Sequence, residues 1–358
     1  MTQRAAWATL RRLWPLAALL IALVAIALVA SLASIVIQRR IVEALITMIA
    51  VVALYIFAGN SGVLSFGNVS FMAVGAYVSA LLTMKPAAKA VFLPGLPALL
   101  KSAEWATVPA ALMGGLVAAL FGLIVGVPLM RLSGIAASIA TFAVLSITYV
   151  VLGNWTSVTG GQNSLFGLPI YADLWAVLPW ALIAVAAAFA YQETRSGLML
   201  RASREDEVAA EASGIDVHRQ RLYAFVLSAF FSGIAGVLYG HFLGVLRVES
   251  FYLDMTFLVV AMLVIGGMRS LLGAVAGALV ISLLTELLRQ LEAGVALGGV
   301  TVAAPAGLGD AVLALAMLLI ILFRPQGIAA GRELTWPFGR QSRGRPQPSD
   351  TVSGGDFR

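Results

Sequence analysis

The chain has 358 residues, of which 61% are hydrophobic and 11% charged, with a mean hydropathy of +0.97 and no cysteine. A soluble domain carries about 25% charged residues, so the composition is that of an integral membrane protein and leaves no separate soluble domain of useful size; disulfide and thiol chemistry are excluded outright. The net charge of +6 and pI near 9.9 fit arginines gathered in loops on one side of a membrane better than they fit nucleic-acid binding.

From the N-terminus, Arg4, Arg11 and Arg12 precede an apolar run over 14–37. A signal peptide's apolar region has only about 7–15 residues, so this run reads as a retained first transmembrane helix. At about 20 apolar residues per crossing, further spans are predicted at 41–59, 69–84, 106–130, 132–152, 174–191, 222–244, 255–268, 273–288 and 307–323. The expected fold class is an all-α membrane protein of about ten transmembrane helices, with the third, eighth and ninth short and flanked by glycine. With the N-terminus in the cytoplasm, 16 of the 23 basic residues fall on the cytoplasmic side and 7 outside. Arg39–Arg40, on the outer side, violates the pattern. Residues 1–40 form the N-terminal segment and first helix, 41–328 the core with a cytoplasmic loop at 192–220, and 329–358 a Pro-, Gly-, Ser- and Arg-rich tail expected to be disordered.

Between the second and third spans lies "GNSGVLSFGNVSFMAVGAYVSALL" (59–82). Backbone polar groups cannot go unpaired in hydrocarbon. The segment is therefore either a turn outside the bilayer followed by a packing helix, or a broken segment lining a polar path, with Asn60, Ser61, Ser65, Phe66 and Asn68 as the lining. A fainter echo at 265–289 aligns Gly267-x-x-Ser270 with Gly62-x-x-Ser65, as an internal repeat around such a path would. The outer loop "GNWTSVTGGQNSLFGLPIYAD" (153–173) contributes Thr159, Gly160, Gly161 and Asn163 as path or partner-contact candidates, against a plain glycine-rich hairpin. Glu43, Glu286 and Asp310 lie within or beside spans, near their ends where snorkelling is cheap. Arg289 is placed to pair with Glu286. These residues and His241 read as structural, and no metal site is expected.

The stretch "RASREDEVAAEASGIDVHRQR" (201–221) holds nine of the chain's forty charged residues. Ser203 with Asp206 fits a capping box, acidic residues crowd the first turn, and Gly214 suits a left-handed terminus. The predicted helix, 203–214, is too short to stand alone, since about 12–15 residues are marginal in water. Its apolar strip of Val208, Ala209 and Ala212 marks it as a helix that packs into a groove on another protein.

"EVAAEASGI" resembles the cytoplasmic loop of ABC importer permeases whose short coupling helix docks on the ATPase. Together with "SGVLSFGNVSFMAVGAYVSALL", "TGGQNSLFG", "VIGGMRSLLGAVAGA" and "RPQGI", in that family's order over about 41–328, the sequence is similar to the branched-chain amino acid ABC transporter permeases of LivM type. Arg269 departs from that family's small residue at this turn and puts a substrate role for it in doubt. The resemblance implies a bacterial inner-membrane permease and assigns Ser203, Glu207, Val208, Ala209, Ala210, Glu211 and Gly214 to the coupling position. It implies as partners a homologous second permease, two ABC ATPase subunits and a periplasmic solute-binding protein, besides membrane lipid. The chain has no G-x-x-x-x-G-K-[ST], so ATP and Mg belong to the partners and this chain is not itself an enzyme. Branched-chain amino acids are the implied solute, with urea, short amides and aromatic acids as relatives' substrates. An ion-coupled secondary carrier or channel is the alternative class.

Overall fold

The computed structural model describes residues 3–293, 295–297, 300–302, 307–323 and 327–329. The described chain is almost wholly helical. α1 (Gln3–Ser31) and α2 (Ile35–Ser61) are joined by a three-residue turn, on which Gln38 Nε2 closes by donating to Ser31 O and Ala33 O at 3.3 and 3.1 Å. The turn comes earlier than the apolar pattern predicts. Arg39 and Arg40 therefore sit inside α2 and not between two spans.

α3 (Asn68–Thr83) follows a non-helical break at 62–67, and the short α4 (Pro86–Phe92) and α5 (Ala98–Lys101) fold over one end of the bundle. The wholly buried Lys89 clamps them, its Nζ donating to the carbonyls of Leu100 and Ala103. Next come α6 (Thr107–Leu129), α7 (Gly134–Asn154), the single turn α8 (Thr156–Thr159) and α9 (Leu174–Glu193). The predicted loop 192–220 is itself mostly helical, as α10 (Arg195–Glu205) and α11 (Glu207–Ala212), and leads into α12 (Val217–Leu243). A 3-10 turn (Val248–Phe251), α13 (Leu253–Gly266), α14 (Leu271–Ala293) and α15 (Leu308–Phe323) complete the helices.

Two small antiparallel ribbons accompany them: β1 (Leu165–Phe166) with β2 (Val245–Leu246), and β3 (Val295–Leu297) with β4 (Val300–Val302). Each of the ten predicted spans has a helix. Among the described residues, eight helical segments are long and apolar enough to cross a membrane, so this is a multi-pass membrane protein. α14 is one of them, running several residues beyond the short ninth span that the sequence suggests. α3, at 16 residues, is shorter than a full crossing. Of the predicted tail, 329–358, all but Ala329 lies outside the described residues, as does the Asp310 side chain.

The burial pattern inverts that of a soluble bundle. α6 turns Ala110, Gly114, Ala118, Gly122 and Gly126 inward at every fourth position, while Leu112, Leu116, Leu120 and Ile124 point outward. Without a hydrophobic drive between helices in lipid, close backbone approach at small residues supplies the packing. α3 crosses α12 where Gly75 meets Gly233 and Gly236 meets the Met72 carbonyl, and a methyl on either α12 glycine has no room. α2 is the central rod: every residue from Leu45 to Ser61 is buried. Its 27 residues span about 40 Å at 1.5 Å per residue.

The motif "RPQGI" acquires a structural role at its far end. Ile328 N and Ala329 N donate to Ile265 O and Gly266 O at 2.9 and 3.0 Å, taking up carbonyls that the C-terminus of α13 leaves without helical partners.

Candidate functional site

The break after α2 begins at Gly62, left-handed at φ +75°. Its backbone groups find local partners or partners on α7. Val63 N donates to Ser61 Oγ at 3.2 Å, Phe66 N donates to Thr141 Oγ1 at 3.1 Å, and Leu64 O accepts from Ser138 Oγ at 2.7 Å. Three polar backbone groups of the break are thus satisfied by side chains of its own or of α7. Asn60 and Ser61, read from sequence as part of the irregular segment, belong to the last turn of α2.

Asn68 opens α3 and joins three helices: its Nδ2 donates to Ala50 O at 3.3 Å, and its Oδ1 accepts from Ser228 and Ser232 Oγ at 3.2 and 2.7 Å. Ser270 is wholly buried and caps α14 by accepting from Gly273 N at 3.0 Å. Three buried polar atoms near the break, Asn60 Oδ1, Ser65 Oγ and Ser70 Oγ, have no partner among the described residues. Phe66 is half-buried beside them.

The other candidates lie apart, near the α4–α5 end. Thr159 Oγ1 donates to Leu152 O and Trp155 O and accepts from Gly161 N. Gly160 and Gly161 are both left-handed, folding the loop back on α7, and Asn163 is exposed. The same loop is fastened to α3 and α12 through His241, wholly buried. Its Nδ1 lies 2.9 Å from Pro169 O and its Nε2 2.8 Å from Ser79 Oγ. A carbonyl only accepts, so Nδ1 carries a proton and donates to Pro169 O.

At that end of α2, Arg40 and Glu43 face Glu286 and Arg289 of α14 in a closed alternating square, with contacts of 3.3, 3.0, 3.4 and 3.6 Å. The Arg39 guanidinium lies 5.6 Å from the Phe242 ring centroid, within cation–π reach. Both arginines that looked misplaced in sequence are therefore engaged within the fold. Glu286 pairs with Arg289 as its spacing suggests, and Arg40 is the partner that spacing could not reveal.

At the opposite end of the bundle α10 and α11 form a bracket. The sequence reading places the N-cap of the coupling helix at Ser203, and the structure moves it to Asp206. Ser203 is buried within α10, its Oγ donating to Leu200 O, because α10 is capped at Thr194 and runs on to Glu205. Asp206, extended at φ −153° and ψ 109°, accepts from Ala209 N at 2.9 Å and starts α11. Gly214, at φ +83°, ends it as predicted. Its N–H donates to Glu211 O and that of Ile215 to Ala210 O, the pairing of a Schellman terminus.

The faces of this six-residue helix sort cleanly. Ala210 is 5% exposed and turned inward, whereas Val208 is 78% exposed, in a row with the exposed Ala209 and Ala212. Glu211 is exposed as well, but Glu207 is occupied: both of its oxygens accept from the Arg221 guanidinium of α12, at 2.9 and 2.8 Å. A bidentate pair fixes orientation as well as distance, so α11 is bolted to a membrane-spanning helix.

Arg204 makes a second attachment. Its Nη1 donates to Gly59 O at 2.6 Å, and Nε and Nη2 donate to Glu205. That hydrogen-bonded guanidinium, with Arg269 further off, holds the Glu205 carboxyl below its usual range. Sequence reasoning used Arg204 and Arg221 only for topology. Their place in the charged stretch was the available signal, and their partners, 145 and 14 positions away, were not.

The sequence profile of the branched-chain amino acid transport system permease components matches residues 36–322. The chain belongs to this permease family. The LivM permease protein of the high-affinity branched-chain amino acid transport system of Escherichia coli is 29% identical over 324 residues, covering 80% of this chain and 68% of that protein. The Salmonella typhimurium LivM matches to the same extent. A probable branched-chain amino acid transport permease, LivH, of Methanocaldococcus jannaschii is 28% identical over 136 residues, 38% of this chain and 41% of that protein. No solved structure matches the chain. These relatives are transporter permease components, and the fold described above, almost wholly helical with eight segments long and apolar enough to cross a membrane among the described residues, suits a membrane protein of that kind.

Proposed function

We propose that this chain is the permease subunit of an ATP-driven importer for branched-chain amino acids, coupled to partner ATPases through α11. The observation that carries the reading is the construction of that helix. Six residues capped at both ends and bolted by Glu207 to Arg221 present Val208, Ala209 and Ala212 outward. A helix this short does not persist unsupported, and one so fixed transmits a push without unwinding. Its exposed row is too narrow to serve as core and fits a groove on another subunit.

On this reading the α11 end faces the cytoplasm of a bacterial inner membrane, as the basic-residue count favours, and the ion-pair square faces outward. ATP and Mg reside on the two ATPases. A homologous second permease completes the path, and a periplasmic binding protein delivers the solute. Asn60, Ser65 and Ser70, the buried groups with unpaired oxygens, are assigned to the path wall, together with the half-buried Phe66. Asn68 and Ser270 are spent on internal hydrogen bonds. The preference for a zwitterion follows from walls with hydroxyl and amide groups and few fixed charges.

The test is reconstitution in proteoliposomes with ATPase subunits, second permease and binding protein, offered radiolabelled leucine, urea, acetamide or benzoate. Leucine accumulation that requires ATP is expected. Accumulation by the permease alone, driven by an ion gradient, would contradict the reading in favour of a secondary carrier.

A further inference from the structure

The coupling helix is joined to the break in α2 by one side chain. α2 ends at Ser61, so the carbonyls of its last turn lack helical partners. Ala58 O accepts from Gly62 N, and Gly59 O accepts from Arg204 Nη1 at 2.6 Å. The guanidinium also places positive charge at the negative end of the α2 dipole. The stem of Arg204 fills the space over Gly62, where a Cβ would lie 2.6 Å from Arg204 Cγ. The missing side chain at 62 therefore serves two purposes: the left-handed backbone and room for the arginine.

On its other side Arg204 is two residues from Asp206, the cap of α11, and its neighbour Glu205 feels the charge of Arg269 beside the second glycine turn at Gly267. A cleft lined by Gly59, Gly62, Arg204, Met268 and Arg269 separates the two turns.

We propose that Arg204 is the positioning residue that carries displacement of α11 to the Gly62 break, acting as a strut that stays closed through the cycle. The inference rests on the ATP-driven reading above. A displacement at Asp206 passes through Glu205 and Arg204 to Gly59 O, and so to the last turn of α2 and the break. A structural cap would stabilise α2 whether or not ATP is hydrolysed, whereas a strut sets how much solute moves per ATP.

The cysteine-free chain permits a direct test. A Cβ at position 62 lies 3.7 Å from Arg204 Cβ, within the roughly 3.5–4.5 Å that a disulfide requires. The full assembly is reconstituted with wild type, Arg204→Ala, Arg204→Lys or Gly62→Cys/Arg204→Cys, with radiolabelled leucine as probe and oxidised wild type as control. Arg204→Ala is expected to keep ATPase activity within about twofold while leucine moved per ATP falls by roughly tenfold, the size of an ordinary coupling energy. Arg204→Lys, which keeps a donor and the stem, should retain most of that ratio. The cysteine pair should behave as Arg204→Ala when reduced and recover most of the ratio when oxidised.

The proposal is overturned by an Arg204→Ala ratio close to wild type, or by a cross-linked pair whose ratio is indifferent to oxidation or abolished by it. Because Gly62 is left-handed at φ +75°, a pair that does not cross-link reports strain at 62, and Arg204→Ala and Arg204→Lys then decide. Should Arg204→Ala not assemble, Arg204→Lys and the pair decide. A wild type that concentrates leucine without ATP, or moves none, defeats the proposed function instead. An ATP-driven wild type with an unresponsive pair defeats only the strut.

Discussion

The two ends of α2 are both gripped by arginine, in contrasting ways. At the break, one guanidinium holds one backbone carbonyl above a glycine. At the far end, Arg40, Glu43, Glu286 and Arg289 form a square in which every charge has two partners. A redundant ring tolerates the loss of a member, while a single directional contact does not. The difference separates a fastening that holds helices together from a contact placed to transmit.

The comparison is broken most severely by interrupting the exposed row of α11, the proposed ATPase contact. Val208→Asp puts a charge in the middle of the exposed row. The ATPase should bind the permease more weakly by roughly thirtyfold or more, as for a central interface residue, with uptake falling in proportion when measured by co-purification and transport. Ala210→Trp, by contrast, would act through the fold, because Ala210 faces inward.

Next in size is Glu207→Ala. It strands Arg221, whose side chain is 4% exposed, but Glu207 is itself 33% exposed, so the loss falls short of a fully buried pair's and is on the order of 2 kcal/mol. Denaturation in mixed micelles should show that loss.

Asn68→Ala removes three contacts between helices, at about 0.6 kcal/mol each in membrane proteins. A smaller loss of stability is expected, between about 1 and 2 kcal/mol, with ATP consumption per solute unchanged. The smallest effect belongs to the square. Glu286→Gln leaves Arg40 and Arg289 each still facing Glu43, and part-exposed pairs contribute about 0–1 kcal/mol. Uptake should stay near wild type, and a large loss there would erase the contrast between the two ends.

What the sequence made legible was local. Apolar length located a helix at each of the ten predicted spans, and Gly214 and the acidic run located α11, because helix termini are written in adjacent residues. The cap was misplaced by three positions. Ser203-x-x-Asp206 and Asp206-x-x-Ala209 both have cap spacing, and only the burial of Leu200 and Ser203 in α10 decides between them. The partners of Asn68, of Arg40 and of the break's own backbone lie on helices distant in sequence. No periodicity announces such pairs. An apolar pattern cannot show where a turn ends and a helix resumes, so it did not show that Arg39 and Arg40 lie inside α2 with partners on α12 and α14.

The most direct measurement is a cross-linking scan along α11 in the cysteine-free chain, with single cysteines at positions 208, 209, 210 and 212 in the assembled complex. Strong links to an ATPase subunit from 208, 209 and 212, and none from the inward-facing 210, are what the exposed row predicts. Links absent from 208, 209 and 212, with ATP-dependent uptake intact, would show that the ATPase engages this permease elsewhere.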